Sequence, residues 1–248
     1  MAKRSNKESG LIRSVNIIGT GKMANGLAPS LERSKIKING ICSRNPAKVA
    51  QLAALLDGEP VLTVSCEVLP PADCTIIAVA DDAIAEVSGQ LALNTSLLNS
   101  LVVHTSGSVP LSALSNKLKN TGIFYPLQTF KSGMIIDFSK IPICITSGKP
   151  GALSALQKLG EGLGSTCYQV QDQQRQQLHL AAVFANNFTN HVLGIASDWM
   201  EKYQLDFEML MPLIQTTVNQ LGDKNPAALQ TGPAVRGDQK TMKRHLDQ

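Results

Sequence analysis

The residues best placed to do chemistry begin at Gly19-Thr20-Gly21-Lys22-Met23-Ala24, a GxGxxA loop between a β-branched run and a helical pattern. In that context Gly19 permits a tight turn, Gly21 lets the backbone approach a pyrophosphate, and Ala24 lets the helix pack close to the strand. The helix start, from Lys22 and Met23, offers free N–H groups and the positive end of a dipole to phosphates. The alternative is an ordinary tight turn between strand and helix. About twenty residues on, an NAD site carries an acid for the ribose 2′-OH; this chain has Ser43-Arg44-Asn45 instead. Ser43 and Asn45 can donate hydrogen bonds to a 2′-phosphate, and Arg44 can add charge and stack on adenine. The reading is NADP rather than NAD, with a solvated loop arginine as the alternative for Arg44. Val79 and Ala80 leave a later strand as small residues, giving a dinucleotide room to cross the sheet edge, and Asp82 is expected to cap the helix that follows.

Polar groups suited to a reacting centre lie further along. His104, in Val103-His104-Thr105-Ser106-Gly107-Ser108, leaves a strand on the same sheet edge as the glycine loop, where ligands of open α/β sheets bind. His104 could donate a proton there and Ser106 could border a nicotinamide; alternatively the hydroxyls only cap a helix. Tyr125-Pro126-Leu127-Gln128-Thr129-Phe130 sets Gln128 and Thr129 among apolar neighbours, where polar groups need partners: a structural hydrogen bond or, for Gln128, a bound substrate. Residues 176–197 contain no Asp, Glu, Lys or Arg. At ~100° per residue, Arg175, His179, Asn186 and Asn190 fall on one stripe, opposite Leu180, Phe184, Phe188, Val192 and Ile195. A helix buried on both sides with such a stripe calls for a ligand, with His179 as proton donor, or for a polar seam against other helices. His191 falls off the stripe and is read as packing. Arg236, in Thr231-Gly232-Pro233-Ala234-Val235-Arg236-Gly237-Asp238, could bind a substrate carboxylate through its fork of N–H groups or pair with Asp238; Asp238 is a natural N-cap.

The elements that must position these groups are legible as alternating runs. Strands are expected at 15–19, 36–43, 60–65, 74–80, 97–105, 122–130, 140–147 and 165–170, and helices at 22–34 and 46–56. Strands apolar on both faces and separated by helices indicate βαβ units and a mainly parallel, doubly wound sheet. From Gln171 no strand pattern remains: helical patterns cover 171–205, 207–222 and the segment from Gln239. The expected organisation is a flexible tail (1–11), a Rossmann-like NADP-binding domain (12–170) and a smaller all-helical domain for substrate and dimerisation (171–248). The 248 residues carry a net charge of only +4, part of it in the tail, which argues against a nucleic-acid binder. Aromatics are 4%, so Leu, Ile, Val and Ala must fill the core. Cys42, Cys66, Cys74, Cys144 and Cys167 show no CxxC spacing and no metal-ligand partners; they read as the reduced thiols of a cytoplasmic protein. No apolar run of membrane-spanning length and no signal peptide is seen.

Together, GTGKMA, VVHTSGS, YPLQTF, LHLAAVFANNFTNH and LQTGPAVRGD resemble a bacterial family of oxidoreductases that joins a Rossmann-like domain to a helical domain of unknown function. The resemblance covers roughly residues 12–246. The wider superfamily it is similar to includes 6-phosphogluconate and 3-hydroxyisobutyrate dehydrogenases, ketopantoate reductase and pyrroline-5-carboxylate reductase. The resemblance implies an NADP-binding domain, a helical domain that closes a cleft, and dimers through the helices. Hydroxyacid dehydrogenases of that superfamily place a catalytic lysine three residues before an Asn-Asn pair; here Asn186-Asn187 matches the pair, but the lysine position is Val183. His179 or His104 would have to replace it. Members also usually continue past the last helix, which implies either further residues or a final packing layer from a second subunit. The expected activity is reduction by NADPH of a small carbonyl or imine compound bearing an acidic group. The second reading is a dinucleotide sensor without turnover.

Overall fold

The structure is a computed structural model that describes residues 10–131, 136–222 and 225–248; residues 1–9 of the expected tail lie outside the described residues. Strands β1 (Ser14–Ile18), β2 (Lys37–Cys42), β3 (Val61–Thr63), β4 (Cys74–Ile77), β5 (Leu101–His104), β6 (Asn120–Pro126), β7 (Ile143–Thr146) and β8 (Cys167–Gln169) form one sheet in the order β3-β2-β1-β4-β5-β6-β7-β8. All neighbours are parallel except β6 and β7. Helices α1 (Lys22–Arg33), α2 (Pro46–Ala53), α3 (Ile84–Leu91), α4 (Pro150–Gly162) and α5 (Asp172–Ala182) accompany the sheet.

Adjacent residues of each central strand enter different cores, as the two-residue repeat of a strand requires. Ile17 pairs with Ile76, and both pack with Val103, Leu27, Leu31 and Leu156 on one face. Ile18 pairs with Ile77, and both pack with Val102, Ile84 and Leu91 on the other. Sheet order reverses direction at β1, flanked by β2 and β4, and this switch point is where open α/β sheets leave a crevice beyond the strands' carboxyl ends.

Several expected strands are shorter than their apolar runs. Residues 97–100 form turns, with Leu97 N donating to Asn94 O and Ser100 N to Leu97 O, both at 3.0 Å, so β5 starts only at Leu101. β6 stops at Pro126, which has no N–H to give the ladder. Gln128 is therefore exposed beyond the strand rather than lodged among apolar neighbours, and its side-chain oxygen accepts from Thr129 N at 2.8 Å.

The chain separates into two compact units, through Val183 and from Phe184 to Gln248. The change of pattern near residue 170 marks the last strand, and α5 still belongs to the first unit. Its Arg175 is fully buried and donates to Asp172, to Val109 O and, at 3.4 Å, to Thr146 Oγ1. The expected single helix 171–205 is interrupted by a π turn at Val183–Phe188. The second unit contains α6 (Thr189–Lys202), α7 (Met211–Asn219) and α8 (Gln239–Leu246). Asp238 caps α8 as expected, accepting from Thr241 N at 3.1 Å. None of the described residues of this unit is buried. Phe184, Val192 and Ile195, expected on a packed face, are more than half exposed, and His191 is exposed rather than packed.

Candidate functional site

A cleft of about 650 Å³ opens at the switch point, lined by Gly19 to Met23, Ser43, Arg44, Lys48, Val79, Ala80 and Asp82 among others. Its first wall is set by Gly19, whose φ of +104° an L side chain rarely adopts. A Cβ on Gly19 would stand 2.2 Å from the Ala78 carbonyl oxygen, so only glycine lets β1 turn beside the exit of β4. Gly19 N donates to Cys42 O at 2.8 Å, tying the loop to the end of β2. At Gly21 nothing lies within 4 Å of a built Cβ; the loop faces open space there. Gly21 caps α1 without a side-chain bond, and the first turn of α1 carries no acid. The leading N–H groups of a twelve-residue helix thus look for an external acceptor. Ala24 is fully buried, as close packing of α1 requires.

At the end of β2, Thr20 Oγ1 donates to Ser43 Oγ at 3.1 Å, and Arg44 and Lys48 line the cleft beside them. Two cations and a hydroxyl without a carboxylate at this strand end match a phosphate better than a bare ribose diol. Asn45 is not among the lining residues: its side chain caps α2, accepting from Lys48 N at 3.1 Å. The cap leaves Lys48, which the sequence pattern does not single out, in the place expected for Asn45. The signal was its position on the first turn of α2. Asp82 does not cap α3; a 3-10 turn, Asp81–Ala83, intervenes, and Asp82 and Glu86 line the cleft on the α3 side. The loop, the uncapped helix and the cation pair therefore fit a 2′-phosphorylated dinucleotide.

A second polar group sits at the carboxyl ends of β5 and β6. Tyr125 Oη lies 3.0 Å from His179 Nδ1, and the rings meet edge to face at 5.8 Å. Burial, first of all, and then the nearby Cys144 push the Tyr125 phenol up to about 12, so it keeps its proton at neutral pH. His179 itself is partly exposed on α5. A Cβ on Gly107 would lie 2.6 Å from His179 Nδ1 and 2.7 Å from Tyr125 Cζ, so the glycine of the β5 loop makes room for the pair. Tyr125 shares its strand segment with Gln128, the residue singled out in the sequence.

His104 plays a different part from the one expected. It is fully buried and its Nδ1 accepts from Ser106 N at 3.2 Å. Burial, aided by the Arg175 cation, pulls it down to about 4 against the pull of the Pro110 carbonyl. At neutral pH it is an enclosed neutral ring that carries no ionic proton to give. Ser106 Oγ accepts from Ser108 N and Val109 N, both at 3.1 Å, and Ser108 Oγ donates to Asp81. Asp172 accepts from Leu111 N at 3.0 Å, and Gln176 donates to Ser108 O at 2.9 Å. His104 and Ser106 thus shape the β5 loop that α5 clamps, and neither lines the cleft.

Asn186, Asn190 and Arg236 belong to the second unit. Asn190 Nδ2 donates to Asn186 O at 3.0 Å, and Asn186 Nδ2 to Asn187 Oδ1 at 3.0 Å. Arg236 is exposed. The π turn adds a residue to the helical turn, so the constant step that set His179 and these amides on one stripe does not run through Val183–Phe188. Arg175, placed on the same stripe, is instead the buried clamp on Val109 and Asp172.

Among the described residues no His, Cys, Asp and Glu group could hold a metal ion, and no helix is long and apolar enough to cross a membrane. A family model described as NADP oxidoreductase, coenzyme F420-dependent, matches residues 14–106, and one for the domain of unknown function DUF2520 matches residues 141–248. No curated protein matches the chain. Among solved structures, BF3122 from Bacteroides fragilis, assigned as an NADP oxidoreductase, is 32% identical with a TM-score of 0.87, over 95% of this chain and 90% of its own. Protein TM1727 from Thermotoga maritima shares the fold at 21% identity and a TM-score of 0.69, over 93% and 87% of the two chains. So does pyrroline carboxylate reductase from Plasmodium falciparum, solved with NADP bound, at 12% identity and 0.64, over 94% and 92%.

Proposed function

The chain belongs to the NADP oxidoreductase family whose members join a Rossmann-like domain to a DUF2520 helical domain, and from that premise we propose that it reduces a small carbonyl or imine compound with NADPH. The observation that carries this reading is the cleft in which the uncapped start of α1 meets Arg44 and Lys48 at the end of β2. When bound, NADPH supplies the hydride. Gly19 to Met23 hold the diphosphate, and Ser43, Arg44 and Lys48 hold the 2′-phosphate. Val79 and Ala80 leave room for the chain of the cofactor to pass. Asn45 serves by fixing the start of α2.

The proton for the reduced oxygen or nitrogen comes from His179. Tyr125, kept protonated by burial, steers the ring through Nδ1 and leaves Nε2 to meet the substrate. His104 and Ser106 hold the loop whose Gly107 accepts the pair. Within the helical unit taken by itself, the exposed Arg236 guanidinium is suited to an acidic group, and Asn186 and Asn190 are further polar candidates.

The protein works as a homodimer through that unit. A segment of 65 residues with no buried residue among those described, and with Phe184, Val192, Met209, Leu213 and Val218 exposed by more than half, needs a covering surface, and a second copy supplies the same apolar chemistry. The function is tested by titrating NADPH against fluorescence and then screening 2-oxo acids, imines and aldehydes for loss of nicotinamide absorbance. Turnover supports the reading; tight binding with no turnover in a broad screen replaces it with the sensor.

A further inference from the structure

Cys42 ends β2, and Cys66 opens the 3-10 turn Cys66–Val68 that follows β3. Their sulfurs are 3.5 Å apart, the one sulfur–sulfur contact among the described residues. Both residues line the nucleotide cleft, next to Ser43, Arg44 and Val64, and the proposed reaction uses neither. Their backbones are anchored on opposite sides. Cys42 O accepts from Gly19 N at 2.8 Å. Asn94 Nδ2 donates to Cys66 O at 3.2 Å and Leu69 O at 3.0 Å. A disulfide needs the sulfurs at about 2.05 Å, a closure of roughly 1.5 Å from the 3.5 Å contact.

We propose that Cys42 and Cys66 form a peroxide-oxidisable thiol pair whose disulfide competes with nucleotide for the end of the cleft beside Ser43 and Arg44. The hydrogen bond from the Cys66 thiol holds Cys42 below the ordinary cysteine value against the opposing effect of burial, while Cys66 is pushed up. Cys42, which ends β2 next to Ser43 on the cleft, is assigned as the attacking thiol and reacts as its thiolate. Its sulfur takes the terminal oxygen of a hydroperoxide; the O–O bond breaks and hydroxide (from hydrogen peroxide) or alkoxide (from an organic hydroperoxide) leaves, taking up the Cys66 proton to become water or alcohol. The Cys66 thiolate then attacks the Cys42 sulfenic acid, the S–O bond breaks, and hydroxide leaves, taking from solvent the proton that Cys42 had released to become water. Two thiols lose two electrons, and the peroxide gains them. Cys74 and Cys167, whose thiols burial pushes up, serve as internal controls. The competition, but not the oxidation, rests on the nucleotide reading above.

The test uses the full chain, reduced, then exposed to hydrogen peroxide with or without saturating NADP+, quenched with N-ethylmaleimide and mapped without reduction by mass spectrometry. The expected result is a Cys42–Cys66 linked peptide, with Cys74 and Cys167 still alkylated, and formation slowed at least about fivefold by NADP+. In Cys66→Ser, dimedone should label Cys42 as a trapped sulfenic acid. Alkylated Cys42 and Cys66 after excess peroxide overturn the proposal, as does an unchanged rate of linkage in protein shown by fluorescence titration to be saturated with NADP+. If NADP+ does not bind at all, the nucleotide reading falls and the competition with it, and the linked peptide in nucleotide-free protein alone decides whether the thiol pair stands.

Discussion

Tyr125 Oη and His179 Nδ1 are 3.0 Å apart, joining the carboxyl end of β6 to α5 over a glycine that leaves no room for a methyl group. The pair stands on the same sheet edge as the nucleotide cleft. It is also one helical turn from the clamp in which Arg175 and Asp172 grip the β5 loop. These are the two groups to which the proposed function assigns the proton.

Replacing His179 by Ala should therefore lower kcat by about 10²- to 10⁴-fold, the range general acid catalysis contributes, with NADPH affinity unchanged. Tyr125→Phe removes the hydroxyl but keeps the ring, so kcat should fall less, by about tenfold, again without a change in cofactor affinity. Steady-state kinetics beside a fluorescence titration separates the two effects. A kcat unchanged in His179→Ala removes the pair from the mechanism.

At the other end of the cleft, Lys48→Gln and Arg44→Gln should each weaken NADPH by about tenfold, near the worth of one charge-assisted hydrogen bond, and leave NADH unaffected. Asn45→Ala should cost about 1 kcal/mol of stability through its lost cap and leave the preference for NADPH intact. Equilibrium unfolding and titration with both nucleotides check these outcomes together.

The pattern of the chain is enough to show a mainly parallel, doubly wound sheet and the glycine loop, because strand alternation and a GxGxxA turn are local properties. The five loop residues, Ser43, Arg44, Val79 and Ala80, singled out in the sequence, all line the cleft. What the pattern could not place depends on partners distant in the chain. Asn45 and Lys48 have equal claims to a phosphate until the α2 cap takes one of them. His104 has the sequence surroundings of an active-site histidine, but it is fully buried, and burial pulls its pKa down to about 4. The helical stripe assumed a constant turn, and the π turn at Val183–Phe188 has no signature in residue types.

His104 makes stability depend on pH. Its folded value near 4 lies below the ordinary 6.5, so the unfolded chain binds a proton first and stability falls as pH drops from about 6.5 towards 4. The loss reaches about 3 kcal/mol at the lower end. His104→Asn keeps an acceptor for Ser106 N without the titration, and should flatten this part of the profile relative to the native chain. Urea unfolding at pH 7 and pH 5 measures the difference; parallel profiles would show that His104 is not the group responsible.

The exposed apolar residues of α6 and α7 should be covered in solution. Sedimentation of the native protein should give a dimer, and Val192→Asp combined with Leu213→Asp should give monomers that still bind NADPH. A native monomer at micromolar concentration would contradict the assembly.

The most direct test of the account is a fluorescence titration of the native protein with NADPH and with NADH. The cleft built by α1, Ser43, Arg44 and Lys48 predicts that NADPH binds at least about tenfold more tightly, the value of one good phosphate contact. Equal affinity for the two, or no binding of either, would contradict it.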